Sequence, residues 1–259
     1  LNSSTNMTIT NSGTISAAIY PFMFSGSGVV NITNSGTITI TDGHPNDTLG
    51  SFPANSTLTN TGTVSGGRYA FTPGGTGITL TNKTGTLNGI TYDILSYTDN
   101  WGTLTNGQGG NDCLKYYYYL PTNYKIYIAS TSSYGKMCNT AGLFYSAGDT
   151  NFSIDTSSTL SAGTYTDVFT GAGSGNFLNT SGTCSCANGS FNWTLSDSNG
   201  DNNWDLVVTS NDTTAPTLSS STPADNATGV AVNANIVLNF SEAVDAESGN
   251  ITIKKTSDN

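Results

Sequence analysis

Ile32-Thr33-Asn34-Ser35-Gly36-Thr37-Ile38 is the stretch on which the reading of this chain turns. Apolar residues stand at its ends, threonines inside them, and Asn-Ser-Gly in the middle. Two short strands joined by a bend fit this order. Side chains alternate along a strand, so Ile32 and Ile38 face one side and Thr33 and Thr37 the other. Asn-x-Gly makes the corner, with Gly36 expected to take positive φ.

The unit recurs in both directions. Upstream it is Ile9-Thr10-Asn11-Ser12-Gly13-Thr14-Ile15, and downstream Leu58-Thr59-Asn60-Thr61-Gly62-Thr63-Val64. Leu80-Thr81-Asn82-Lys83-Thr84-Gly85-Thr86-Leu87 carries one added residue, and Asn100-Trp101-Gly102-Thr103-Leu104 reads as a fifth, weaker copy. The asparagines are 23, 26, 22 and 18 residues apart. A period of about 22 residues is one coil of a parallel β-solenoid, or β-helix. A lone coil cannot bury its inner face. Stacked at about 4.8 Å, coils pair their backbones in parallel and bury Ile9, Ile15 and their equivalents. The asparagines then align in a ladder whose amides bond from coil to coil. The longer interval from Thr41 to Ala54 is expected to be a loop outside the core.

Composition agrees with an all-β chain. Glutamate occurs only at 242 and 247, charged residues are 9% of the 259, and Gly numbers 30. Thr, Ile, Val and Tyr suit pleated strands, while Gly and Asn supply turns. The net charge is −10, with seven thinly spread basic residues. Such a surface has no phosphate-binding patch, so nucleic acid is not an expected partner. No apolar run approaches the roughly 20 residues of a membrane helix, so no membrane span is expected in this segment. No basic-then-apolar leader opens the chain, which reads as a removed signal peptide or a start inside a longer protein.

Cys113, Cys138, Cys184 and Cys186 are an even set, as disulfides in an oxidising compartment require. Three pairings are open. Cys113 with Cys138 is preferred, leaving Cys184 to pair with Cys186 across one residue. Four buried thiols are the alternative. Zinc fits poorly, because His44 is the sole histidine.

Residues 1–105 are thus assigned to the repeat solenoid. Residues 106–212 form an aromatic-rich elaboration with Tyr116, Tyr117, Tyr118, Tyr119, Tyr124, Tyr127, Tyr134 and Tyr145. Alternation predicts that two of Tyr116–Tyr119 point in and two out, as core packing, subunit interface or glycan contact. The repeats of the I-T-N-S-G-T-I type resemble the passenger regions of autotransporter and filamentous-haemagglutinin-like adhesins. Leu160-Ser161-Ala162-Gly163-Thr164-Tyr165, Phe191-x-Trp193-x-Leu195 and Trp204-Asp205-Leu206-Val207-Val208 are similar to the last coils of those passengers. The resemblance implies a right-handed solenoid continuing to about residue 210.

Thr213-Thr214-Ala215-Pro216 reads as a linker. Beyond it come Ser221-Thr222-Pro223-Ala224-Asp225-Asn226, Ile236-Val237-Leu238-Asn239-Phe240 and Gly249-Asn250-Ile251-Thr252-Ile253. This set resembles the bacterial Ig-like domain of S-layer and large surface proteins, over 213–259. Ile236, Leu238 and Phe240 are expected to form the buried side of a strand. The segment is about half of such a β-sandwich, which takes roughly 100 residues. A longer natural chain, or strand addition from a neighbouring subunit, would complete it.

The chemical motifs are few. Asp197-Ser198-Asn199-Gly200-Asp201-Asn202-Asn203-Trp204-Asp205 reads first as a hairpin turn. Calcium held by Asp197, Asn199, Asp201 and Asp205 is the alternative, although the order departs from an EF-hand. Glu242, Asp245 and Glu247 read as a solvated acidic loop. A Ser/His/Asp site could use only His44, beside Pro45, and Arg68 is the single arginine. No enzyme and no resident cofactor beyond that calcium are expected. The expectation is an extracellular protein of a bacterial cell surface: a subunit of a fibre or layer, or an adhesin. Its partners would be copies of itself, by head-to-tail contact or strand addition, or a surface ligand. A glycan- or protein-binding module is the alternative, and a polysaccharide-degrading β-helix the remote one.

Overall fold

The computed structural model describes residues 5–19, 21–24, 26–41, 47–109, 113–139, 144, 150–211, 215–242 and 244. His44, Tyr145, Asp245, Glu247 and the expected strand at 249–253 lie outside them. The chain divides into two units, 1–212 and 213–259.

The first unit is a β-solenoid. Its first sheet has seven parallel strands: Met7–Asn11, Val30–Asn34, Thr57–Asn60, Ile78–Asn82, Gly102–Asn106, Asn123–Ile126 and Asn151–Ile154. A second sheet holds Thr14–Ala17, Thr37–Ile40, Thr63–Ser65 and Thr86–Asn88. A third runs from Phe22–Met23 through Leu49–Phe52, Tyr69–Pro73, Tyr92–Ser96, Leu114–Tyr118 and Met137–Cys138 to Gly163–Thr170. Equivalent residues stand in register: Ile9 over Ile32, Ile32 over Leu58, Leu58 over Leu80, Leu80 over Leu104. Leu104 then pairs with Tyr124 and Tyr124 with Phe152, so the column ends in aromatics. Ile38, Val64 and Leu87 make the second inner column, all fully buried. Burying each such side chain is worth about 1.5–3 kcal/mol. Ile9 and Ile15 are only half-buried, since among the described residues their coil is packed on one side.

The asparagine ladder is formed. Asn11 Nδ2 donates to Asn34 Oδ1, Asn34 Nδ2 to Asn60 Oδ1, and Asn60 Nδ2 to Asn82 Oδ1, each at 2.8 Å. Asn82 Nδ2 then reaches Gln108 Oε1 at 3.3 Å. The ladder is buried, and every step points the same way.

Several expectations need correction. Gly36 and Gly62 do not have positive φ. They are glycine because coils approach too closely: a Cβ on Gly36 would sit 2.0 Å from the Gly13 carbonyl oxygen, and one on Gly62 2.0 Å from that of Gly36. Asn100 is not a ladder residue. Asn106 stands in register with Asn82, and Asn100 precedes the strand at a bend with φ +50°. There Gly107 stands in the middle of the corner and Gln108 at the glycine position, Asn106 bonding Gln108 N and O as Asn11 bonds those of Gly13, so the Asn-x-Gly pattern failed to find it. The interval after Thr41 is not all loop either, since Leu49–Phe52 is a strand of the third sheet with both end residues fully buried. The last parallel strand pair ends at Thr170, with a single parallel bridge from Thr150 to Phe177 beyond it, rather than near 210. Asn203–Ser210 pairs antiparallel with Gly163–Thr170, Gly189–Ser196 with Asn203–Ser210, and Ser181–Cys186 with Gly189–Ser196.

Carboxamides close the strand edges towards this end. Gln108 accepts from Leu87 N at 2.8 Å and donates to Leu87 O at 2.9 Å. Asn179 does the same to Phe152, and Asn188 to Leu160. Each side-chain amide thus stands in for one peptide group of a missing strand.

In the second unit Leu218–Thr222 pairs antiparallel with Val237–Phe240. Ile236, Leu238 and Phe240 are exposed, as is Val237, against the expectation of a buried side. A two-stranded ribbon offers no second layer to bury them, and the described residues supply none.

Candidate functional site

The third sheet places tyrosines one coil apart. Tyr69 pairs with Tyr92, and the Leu114–Tyr118 strand follows in parallel. Their rings make a continuous run. The Arg68 guanidinium lies 4.5 Å from the centre of Tyr69. Tyr69 and Tyr92 centroids are 6.3 Å apart, and Tyr92 and Tyr117 stack at 4.7 Å, 7° from parallel. Tyr117 meets Tyr118 edge-on at 4.4 Å, and Tyr118 lies 5.1 Å from Tyr97 and 6.2 Å from Tyr119. Tyr97 is the most exposed, at 63%. Offset and edge-on contacts of this kind are worth about 0.5–1.5 kcal/mol each.

Alternation therefore fails within Tyr116–Tyr119. Only Tyr116 points in, fully buried; Tyr117, Tyr118 and Tyr119 are half-buried. The reason is Tyr118, whose φ of +74° is a strained conformation for a bulky residue and turns the strand out of its pleat. Tyr116 holds the turn from beneath. Its hydroxyl accepts from Trp101 Nε1 at 2.7 Å and donates to the Tyr119 carbonyl. Burial pushes the Tyr116 hydroxyl's pKa upward, so it remains a neutral donor. Sequence reasoning found 116–119 but missed Arg68, Tyr69, Tyr92 and Tyr97. The spacing of Tyr69, Tyr92 and Tyr117, which is the coil period, was the available signal.

A polar groove of about 330 Å³ lies where the asparagine ladder ends, lined by Lys83, Gly85, Gln108, Tyr127, Ser132 and Ser133 among others. Lys83 Nζ bonds Asp155 Oδ1 at 2.8 Å and Ser157 Oγ at 2.9 Å, and lies 5.4 Å from the Tyr127 ring centre. Burial raises the Asp155 pKa, but the bonds from Lys83 and Ser157 outweigh it and hold the carboxyl below its ordinary value. Asp93 is nearby and buried. It accepts from Gly89 N at 3.0 Å and Lys115 N at 2.8 Å, with Lys115 Nζ at 3.7 Å. Burial pushes its pKa up to about 6, opposed by Lys115.

In the 197–205 loop the carboxylates face the loop's own amides. Asp197 Oδ1 accepts from Gly200 N and Asp201 N, and its Oδ2 from Asn202 N. Asp201 accepts from Asn203 N and Asn199 Nδ2, and Asp205 from Asp167 N. These four residues are spread along the turn and the following strand. A calcium ion would have to displace such bonds. Cys113 bonds Cys138, and Cys184 bonds Cys186. The first links the start of the Tyr116 strand to the next coil; the second lies on the edge strand Ser181–Cys186.

Residues 212–259 match the family of the bacterial Ig-like domain. The Ig-like match covers the second unit and agrees with the resemblance read there. No curated protein and no solved structure matches the chain. The protein is therefore an all-β chain in which a β-solenoid precedes an Ig-like segment, and the adhesin resemblance of residues 1–105 rests on the repeat itself.

Proposed function

We propose that this chain is an adhesive protein of the bacterial cell surface, acting outside the cell, with the tyrosine run of the third sheet as its contact surface. The run carries the reading. Rings from successive coils stand side by side on a rigid sheet, with Arg68 at one end and Tyr97 projecting at the other. Such a platform offers flat apolar area with hydroxyls at its rim, which suits the apolar faces of a saccharide. The Ig-like match and the two disulfides support a surface location. The role is non-catalytic on this reading, with the buried Asp93 serving to hold the coil.

The test is a glycan array probed with the full chain and with a Tyr117→Ala/Tyr118→Ala variant. Saturable binding lost in the variant, with the melting temperature retained, supports the reading. Absence of binding, or binding equal in both, refutes it.

A further inference from the structure

Five successive coils of the first sheet present the same kind of outward pair. One column is Thr10, Thr33, Thr59, Thr81 and Thr105, and the other Thr8, Asn31, Thr57, Thr79 and Thr103, each residue in register with the next. Nine of the ten are threonine, and none of the chain's 17 acidic and 7 basic residues falls among them. Thr105 is covered; the others are exposed or part-exposed. Thr57 Oγ1 donates to Asn31 Oδ1 at 2.8 Å, and Thr103 Oγ1 accepts from Asn123 Nδ2 at 3.4 Å. The hydroxyls of Thr8, Thr10, Thr33, Thr59, Thr79 and Thr81 have no protein partner among the described residues.

Strand formation alone does not demand this pattern, since a solvent-facing strand position accepts many polar residues. The sixth and seventh coils of the same sheet carry Asn123 with Lys125 and Asn151 with Ser153 at the equivalent places. On the second sheet outward hydroxyls bond one another, Ser65 Oγ donating to Thr39 Oγ1 at 3.3 Å. What repeats on the first sheet is an uncharged lattice of hydroxyls left for solvent. Two residues along a parallel strand span about 6.6 Å, and coils stand about 4.8 Å apart. Side-chain ladders hold a sheet flat against its usual twist. At the end of these strands the asparagines step from coil to coil at an unvarying 2.8 Å as far as Asn82.

We infer that the outer face of the first sheet, over its first five coils, binds ice. The rectangle of hydroxyls lies close to the repeat of oxygen atoms on the prism face of hexagonal ice. Each threonine also adds a methyl group, so water between the columns is anchored by hydroxyls on an otherwise apolar surface. Charged groups would draw that water into shells of their own, and the ten positions hold none. Rows of anchored water merge with the lattice of a growing crystal, and the adsorbed chain stops that face advancing. A saccharide is the poorer fit here, because its apolar faces call for aromatic rings. The inference stands apart from the tyrosine surface, which belongs to the third sheet.

The test freezes a solution of the full chain slowly and measures the fraction taken into the ice, beside grain growth in an annealed ice film. The chain should partition into the ice and keep the grains small. Thr33→Lys and Thr59→Lys, both at exposed positions, should each raise the concentration needed by at least about tenfold, at an unchanged melting temperature. Asn88→Lys adds the same charge at an exposed position of the second sheet and should leave that concentration unchanged. Exclusion of the full chain from ice overturns the inference. So does activity retained in both threonine variants, or lost equally in Asn88→Lys.

Discussion

The Asn179 carboxamide grips Phe152 on both sides of its peptide unit, accepting from the N–H and donating to the C=O at 2.9 Å each. A strand edge that would otherwise recruit a neighbour is thereby answered within the chain. Replacing Asn179 with Leu should cost about 1–3 kcal/mol, the penalty for unpaired backbone groups. It should also raise the apparent mass in light scattering. A variant that stays monomeric with an unchanged melting temperature would show that the cap is dispensable.

Glycines at equivalent positions should respond very differently. Gly36→Ala and Gly62→Ala drive a methyl into a backbone carbonyl of the preceding coil, and each should destabilise the solenoid by more than about 3 kcal/mol. Gly13→Ala should change stability by less than about 0.5 kcal/mol. Denaturant melts of the three variants give the comparison. If positive φ were the requirement, all three would fall together.

Asn60 stands mid-ladder, and its loss leaves two partners unmatched. In Asn60→Leu, Asn34 loses an acceptor and Asn82 a donor, both inside the fold. The expected loss is about 2–4 kcal/mol, because buried amides lose bonds that water cannot replace. The same change at Asn88, which is exposed and lies outside the left-handed region, should be nearly neutral. Chemical denaturation of both variants separates ladder from surface.

Asp93 should make stability depend on pH. Its pKa is about 6 in the folded chain and 3.8 when exposed, so the folded state holds the extra proton between these values. Stability therefore falls as pH rises from about 4 to about 6, by up to about 3 kcal/mol, and levels off above. Asp93→Asn should flatten that slope. Melting temperatures measured at half-unit pH steps give the answer; a wild-type slope of opposite sign in this window would mean that Lys115 outweighs burial.

The solenoid was legible because one short unit repeats with its asparagine, glycine and apolar residues in place. Where Gln108 replaces the unit's glycine, at Asn106-Gly107-Gln108, the pattern points to Asn100 instead of Asn106. Leu49 and Phe52 were hidden because a third-sheet strand carries no repeat motif, only apolar residues facing inward. The tyrosine surface was half legible. Tyr116–Tyr119 are adjacent in sequence, whereas Arg68, Tyr69 and Tyr92 join them only through parallel register. Nothing local in the sequence marks Asn179 and Asn188 as strand mimics, since their partners lie 27 and 28 residues away.

A stack of coils gives way under tension one turn at a time, each turn lengthening as its strands peel from the next. The Cys113–Cys138 bond interrupts this, because it spans 25 residues and ties one coil to its successor. Pulled from either end, the rod cannot pay out the chain between those cysteines until the bond is reduced. Reduction would release about 85 Å of slack at full extension. Tyr117, Tyr118 and Tyr119 thus sit on a stretch that mechanical load cannot fully unravel, whereas Arg68, Tyr69, Tyr92 and Tyr97 lie on coils outside that loop.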